Sequence, residues 1–176
     1  MNEVIQTLKG RRSIRKYKTE QIRDEDLKTI LEAGAYAPSA KSRQSAYMVA
    51  VRDRETVELL RRLNAEIWGN PEIDPFYGAP MVIVVLADPE ASTADNADRD
   101  GSLTMGNLML AAWSLGIGSC WINRAKETFE RPEGKELLKK WGLPERLIGV
   151  GNCILGYADG DIPAPLSRKE GHILYV

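Results

Sequence analysis

Four cations surround one hydroxyl in the segment Arg-Arg-Ser-Ile-Arg-Lys-Tyr, residues 11 to 17. Arg11, Arg12, Arg15 and Lys16 must be solvated or must face something negative. Guanidinium forks match phosphate oxygens two at a time, and a serine hydroxyl adds a compact donor. In an extended segment Arg11, Ser13 and Arg15 point to one side. Three donors on one face suit a single phosphate; a solvated basic turn is the plain alternative. The second candidate is Ala-Pro-Ser-Ala-Lys-Ser-Arg-Gln-Ser-Ala, residues 37 to 46. There a rigid proline precedes small residues, which lets the backbone come close to a flat ligand. Taken alone, a loop that ends a helix explains it equally well.

Other chemistry is missing. His172 is the only histidine and has no evident nucleophile partner, no Gly-x-Ser-x-Gly occurs, and no carboxylate pair stands out as an acid/base couple. The paired glycines of Leu115 to Trp121 and of Gly149 to Gly156 form neither a P-loop nor a Gly-x-Gly-x-x-Gly, so they read as close packing or a bulge. Cys120 and Cys153 lie in apolar strand-like contexts, so buried free thiols are expected rather than a disulfide framework or zinc site. If the chain is an enzyme, a bound cofactor carries the reaction.

Twenty-four Lys and Arg balance twenty-five Asp and Glu for a formal charge of -1, so no global field holds nucleic acid or an anionic membrane, and any anion site is local. With 176 residues, 43% of them hydrophobic, the chain is expected to form one domain over 1–176. The start lacks an apolar core of signal-peptide length, and the longest apolar run, Met81 to Ala87, falls far short of a span of about 20 residues. A soluble, cytoplasmic protein is expected.

The elements that must position these residues follow from periodicity. Asn2 caps a short helix through Lys9 with Val4, Ile5 and Leu8 as its apolar face, and Gly10 ends it. Asp24, Leu27, Ile30, Leu31 and Gly34 mark a second helix, and a strand follows from Tyr47 to Asp53. Asp53 caps a third helix carrying Val57, Leu60, Leu63, Asn64 and Ile67. The unbroken apolar run from Ala79 to Ala87 predicts a central strand buried on both faces. Ala87 to Gly101 reads as a polar loop, and about Asp100 to Leu115 as a helix apolar nearly all round, buried inside the domain or against another subunit. Strands follow at Gly116 to Ile122 and Arg146 to Ala158, with a helix from Arg131 to Gly142 between them. The Pro-rich tail ends in a strand-like His172 to Val176. This alternation predicts an α+β fold with a mixed sheet of four to five strands among about five helices.

Together, and in this order, Arg11 to Tyr17, Ala37 to Gln44, Asp100 to Ile122 and Gly149 to Tyr157 resemble the nitroreductase family of FMN-dependent oxidoreductases, across nearly the whole chain. The resemblance implies an intertwined homodimer of α+β subunits with a mainly antiparallel sheet, long helices at the dimer core and FMN at the subunit interface. It implies that Arg11, Arg12, Ser13 and Arg15 contact the FMN phosphate and ribityl chain, with Arg168 returning to the phosphate. Arg12 or Arg15 would also favour an anionic reduced flavin. Pro38, Ser39 and Ala40, extended by Ser42 and Gln44, would be laid against the flavin by the partner subunit, and Asn70 would meet the pyrimidine edge. Asn123 and Arg124 stand where many relatives have Glu-Gly, whose backbone amide faces the flavin N5. Ser42 stands where Asn is usual, Ser45-Ala46-Tyr47 where Pro-Trp is usual, and Leu166 replaces a basic residue.

The implied activity is a ping-pong reaction in which NAD(P)H gives hydride to flavin N5 and leaves, and an acceptor such as a nitroaromatic or quinone then takes the electrons. No catalytic side chain and no metal ligand is expected. A flavin-binding or sensing protein of the same fold with little turnover is the alternative.

Overall fold

A computed structural model describes residues 1–176. Its helices are α1 (Glu3–Gly10), α2 (Asp24–Ala35), α3 (Arg54–Trp68), α4 (Ala94–Ser114), α5 (Ala125–Glu130) and α6 (Pro132–Lys140). The strands are β1 (Ala46–Val51), β2 (Met81–Ala87), β3 (Gly118–Ile122) and β4 (Ile148–Gly156). Two helix starts follow directly from capping side chains. Asn2 accepts from the Ile5 amide at 3.0 Å to open α1, and Asp53 accepts from the Thr56 amide at 2.9 Å to open α3. Gly69, at φ 85°, closes α3 in the left-handed region.

The strands form one sheet in the order β1-β2-β4-β3, with every neighbouring pair antiparallel. The expected mixture of directions survives only as an isolated parallel bridge from Ser13 to Ser119. β2 lies between β1 and β4 with all of its residues buried, so the run is central, as its unbroken apolar character predicts. Val82, Val84 and Leu86 face one core with Leu60 of α3, Phe129 of α5 and Leu138 of α6. Met81, Ile83 and Val85 face the other, with Ile30 of α2 and Met105 and Leu108 of α4. Each face of the sheet thus carries its own helical layer, and alternation along the strand serves both.

Two expectations are corrected. The segment from Ala87 to Gly101 is loop only as far as Thr93, whose hydroxyl accepts from the Asn96 amide at 3.3 Å and starts α4 at Ala94. The charged first turns of α4 hide its period in the sequence. Of the two alternatives expected for α4, burial inside the domain holds for Gly101, Thr104, Met105, Leu108 and Ala112, while Leu103 is exposed and Leu110 half-buried within the chain. His172 to Val176 forms no strand and is exposed, since no sheet edge meets it. α5, six residues long, has no counterpart in the sequence reading because it is too short to show a period.

Candidate functional site

Arg11 to Tyr17 runs along the outer edge of β3. The Ile14 amide donates to the Ser119 carbonyl at 3.0 Å, and Tyr17 makes a second bridge to Ala158. Ile14 buries its side chain in the core, which turns its neighbours Ser13 and Arg15 to the other side. The Nη1 of Arg11 is buried and has no acceptor. So is the Oγ of Ser119, and so is the indole N–H of Trp121, two residues further along the same side of β3. The thiol of Cys153, paired across from Trp121, is pushed up to about 12 by burial, and Arg11 exerts a small opposing pull on it. Ser13, two residues after Arg11, is bridged to Ser119, and Trp121 faces Cys153 across β3 and β4, so three buried donors without partners lie on or beside β3. Buried polar groups are nearly always paired, so this corner is chemically incomplete and calls for an acceptor. Ser119 escaped the sequence reading; its one signal is a hydroxyl inside an apolar strand.

Arg12 and Arg168 are used differently. Arg12 donates to the carbonyls of Lys9 at 3.0 Å, Arg11 at 2.7 Å and Pro163 at 3.2 Å, so it ties the tail to the end of α1. Arg168 turns onto the carbonyl of Leu166 at 2.6 Å on the exposed tail. Lys16 is paired with Asp159 at 2.9 Å on the surface.

The second segment, Pro38 to Gln44, is held in an unusual conformation. Lys41, Ser42 and Gln44 have φ of 53°, 55° and 50°, left-handed values that side chains other than glycine rarely adopt. Ser39 Oγ accepts from the Gln44 amide at 2.9 Å. Asp100, buried in α4, accepts from the Ala40 amide at 2.9 Å and from the Ser45 hydroxyl at 2.6 Å. Ala35, Tyr36, Ala37, Pro38, Ser39, Ser42 and Gln44 line an open cavity of about 470 Å³. Asp100 was missed as a site residue because it sits in an acid-rich run with nothing to single it out.

Asn70 is exposed, and its Oδ1 accepts from the Glu72 amide at 3.1 Å in the turn after α3. The Asn123 carbonyl, at the end of β3, accepts from Nδ2 of buried Asn64 at 2.7 Å and of Asn152 at 3.5 Å. Arg124 follows at φ 73°, its guanidinium carbon 4.2 Å from the centre of the Trp68 ring and its Nε buried without a partner.

The two leading segments lie at opposite edges of the sheet, one beside β3 and one leading into β1. Three strand spacings separate those edges, roughly 14 Å. One chain does not bring the basic segment and the Pro38–Gln44 loop together.

A four-stranded antiparallel sheet with helices on both faces and a donor-rich edge defines an α+β protein. The chain belongs to the nitroreductase family, whose model matches residues 8–157. It is 37% identical over 160 residues to a protein of Archaeoglobus fulgidus that carries the name NADH dehydrogenase/NAD(P)H nitroreductase, covering 89% of this chain and 86% of the relative. It is 28% identical to an FMN reductase [NAD(P)H] of Bacillus subtilis, with 97% of this chain and 70% of the relative covered. Among solved structures, a nitroreductase with bound FMN from Bacteroides fragilis superposes with a TM-score of 0.90 at 34% identity over 100% of both chains. The fold is therefore the nitroreductase fold.

Proposed function

We propose that residues 1–176 act as one domain that binds FMN and uses NAD(P)H to reduce small acceptors such as nitroaromatics or quinones, as a cytoplasmic homodimer. The observation that carries the reading is the corner at Arg11 and Ser119, where buried donors lack an acceptor. A phosphate ester supplies several acceptor oxygens and the negative charge a guanidinium needs. The residues present thus fit the group that the Bacteroides fragilis nitroreductase holds.

When bound, FMN supplies the hydride-accepting and electron-donating chemistry that no side chain here provides. Arg11, Ser13 and Arg15 hold its phosphate, with Arg168 on the exposed tail as a further cation. Arg12 anchors the tail beside this corner through Pro163. Pro38, Ser39, Ala40, Ser42 and Gln44 of the partner subunit cover the ring, and the loop's tight hydrogen bonding keeps that surface fixed. Asn70 and the backbone at Asn123–Arg124 border the ring edge, with Asn64 holding the Asn123 carbonyl in place.

Two features support the homodimer: the site halves sit on opposite sheet edges, and α1 presents Val4 and Leu8 to solvent at 66% and 52% exposure. An apolar helix face of that kind normally finds cover. No helix is long and apolar enough to cross a membrane.

The test is the visible absorption spectrum of the purified protein, followed by anaerobic addition of NADH or NADPH. A yellow protein bleached by either nucleotide is expected. A colourless protein that takes up no FMN overturns the reading, and a yellow one that neither nucleotide bleaches leaves a flavin-binding protein without turnover. Arg11→Ala should weaken FMN binding by roughly 1.5 to 3 kcal/mol, the usual worth of a charge-assisted hydrogen bond, measured by quenching of flavin fluorescence.

A further inference from the structure

Arg124 is the one proposed site residue whose side chain is stacked on an aromatic ring and bonded to nothing. Its guanidinium carbon stands 4.2 Å from the centre of the Trp68 ring. No carboxylate pairs with it: Glu66, the acid nearest Trp68 in sequence on α3, is engaged by Arg62 at 3.2 Å and by Arg131 at 3.0 Å. Its Nε is buried without an acceptor, and Trp68 remains 53% exposed.

The backbone beneath is fixed with unusual care. Buried Asn64 grips the Asn123 carbonyl at 2.7 Å, and the Arg124 carbonyl accepts from the Thr128 amide at 3.0 Å and from its hydroxyl at 2.8 Å. Arg124 itself is left-handed at φ 73°, where a side chain is strained and glycine is not. A cation is thus held at a position whose backbone disfavours any side chain. A stacked guanidinium keeps its edge N–H groups directed outward in the ring plane, a fork that matches a carboxylate, while the neighbouring indole offers an apolar surface to a flat ring.

We infer that Arg124 and Trp68 form a specificity-determining pair that selects electron acceptors which are planar, aromatic and anionic, a carboxylate being the simplest case. This rests on the proposed function for the ligand's role as acceptor. The selection itself rests on the cation, the stack and the strained backbone.

The test uses the FMN-loaded protein and two probes of one shape, benzoate and benzamide, titrated by calorimetry. Benzoate should bind at least about tenfold tighter than benzamide, as the loss of one charge-assisted hydrogen bond implies. Arg124→Gln should bring the ratio near one, and Trp68→Ala should weaken both probes. In turnover, the preference for 4-nitrobenzoate over 4-nitrobenzamide should fall in Arg124→Gln chiefly through KM. Arg124→Lys, which keeps the charge and loses the fork, should retain part of the preference and serves where the glutamine variant does not fold. Equal binding of both probes by the unaltered protein, a ratio unmoved by Arg124→Gln, or probe affinities unmoved by Trp68→Ala, overturns the inference. A protein that takes up no FMN refutes the proposed function instead, and the benzoate ratio read on that same protein still shows whether Arg124 and Trp68 bind a planar carboxylate.

Discussion

Asp100 is the side chain on which the Pro38–Gln44 loop hangs, since it accepts from Ala40 and Ser45 at 2.9 and 2.6 Å while buried in α4. Removing it leaves two donors without partners beside three strained residues. Asp100→Ala should cost roughly 1.5 to 3 kcal/mol in urea unfolding, and limited trypsin digestion should cut faster after Lys41 or Arg43. Unchanged digestion would mean that the loop holds itself. Asp88 does different work: it receives both arms of Arg146, at 2.9 and 2.8 Å, just past the end of β2. Those hydrogen bonds, helped by the Glu90 amide, hold its carboxyl below the ordinary range, and burial opposes them. The folded state therefore binds that proton more weakly than the unfolded chain. The contribution is present above the unfolded value of about 3.9 and is lost as pH falls through the depressed one. Asp88→Asn should be less stable than the parent at neutral pH and should approach it as pH drops toward 3, read from urea midpoints across that range.

Elements meet closely at two glycines, and the closeness is the reason for the residue type. A Cβ on Gly134 of α6 would lie 2.1 Å from the Thr128 carbonyl oxygen of α5, and one on Gly149 of β4 would lie 2.2 Å from the Ala125 carbonyl. Both obstacles are backbone, which cannot step aside. Gly134→Ala should therefore destabilise by about 1 to 3 kcal/mol despite the better helix propensity of alanine, lowering the melting temperature by several degrees. A raised melting temperature would show that α5 and α6 can separate at little cost. No sequence pattern announces such contacts, because they depend on which elements become neighbours. The same divide runs through the fold. Asn2, Asp53, the apolar run of β2 and the face of α2 were legible because capping and periodicity act within a few residues. The start of α4 was not legible because charged residues fill its first turns. The tail from His172 read as a strand because local propensity has no knowledge of whether an edge is available. Among the candidate site residues, Arg11, Ser13 and the Pro38–Gln44 loop stand out by residue type, whereas Ser119, Asp100 and Asn64 take positions that only folding assembles.

Gly106 bears on the proposed homodimer. It sits inside α4, half-buried, and a Cβ there would meet nothing within 4 Å. In a lone chain such a glycine is a liability, and Gly106→Ala should stabilise by roughly 0.8 to 1 kcal/mol. In the proposed homodimer the same open space is where the partner's helices pack, together with exposed Leu103 and the apolar face of α1. A larger side chain then has opposite consequences in the two states. Gly106→Leu leaves the monomer's core untouched and drives a branched side chain into the subunit contact. The expected result is a shift from dimer to monomer in sedimentation velocity, with urea stability of the monomer preserved. FMN retention should fall in parallel, because in the proposed homodimer the Pro38–Gln44 loop reaches the flavin from the partner subunit. A dimer that persists with its flavin bound would move the interface off α4. A monomer that keeps FMN at full affinity would show instead that the ring needs no partner, and would confine the site to the Arg11–Ser119 edge of one chain.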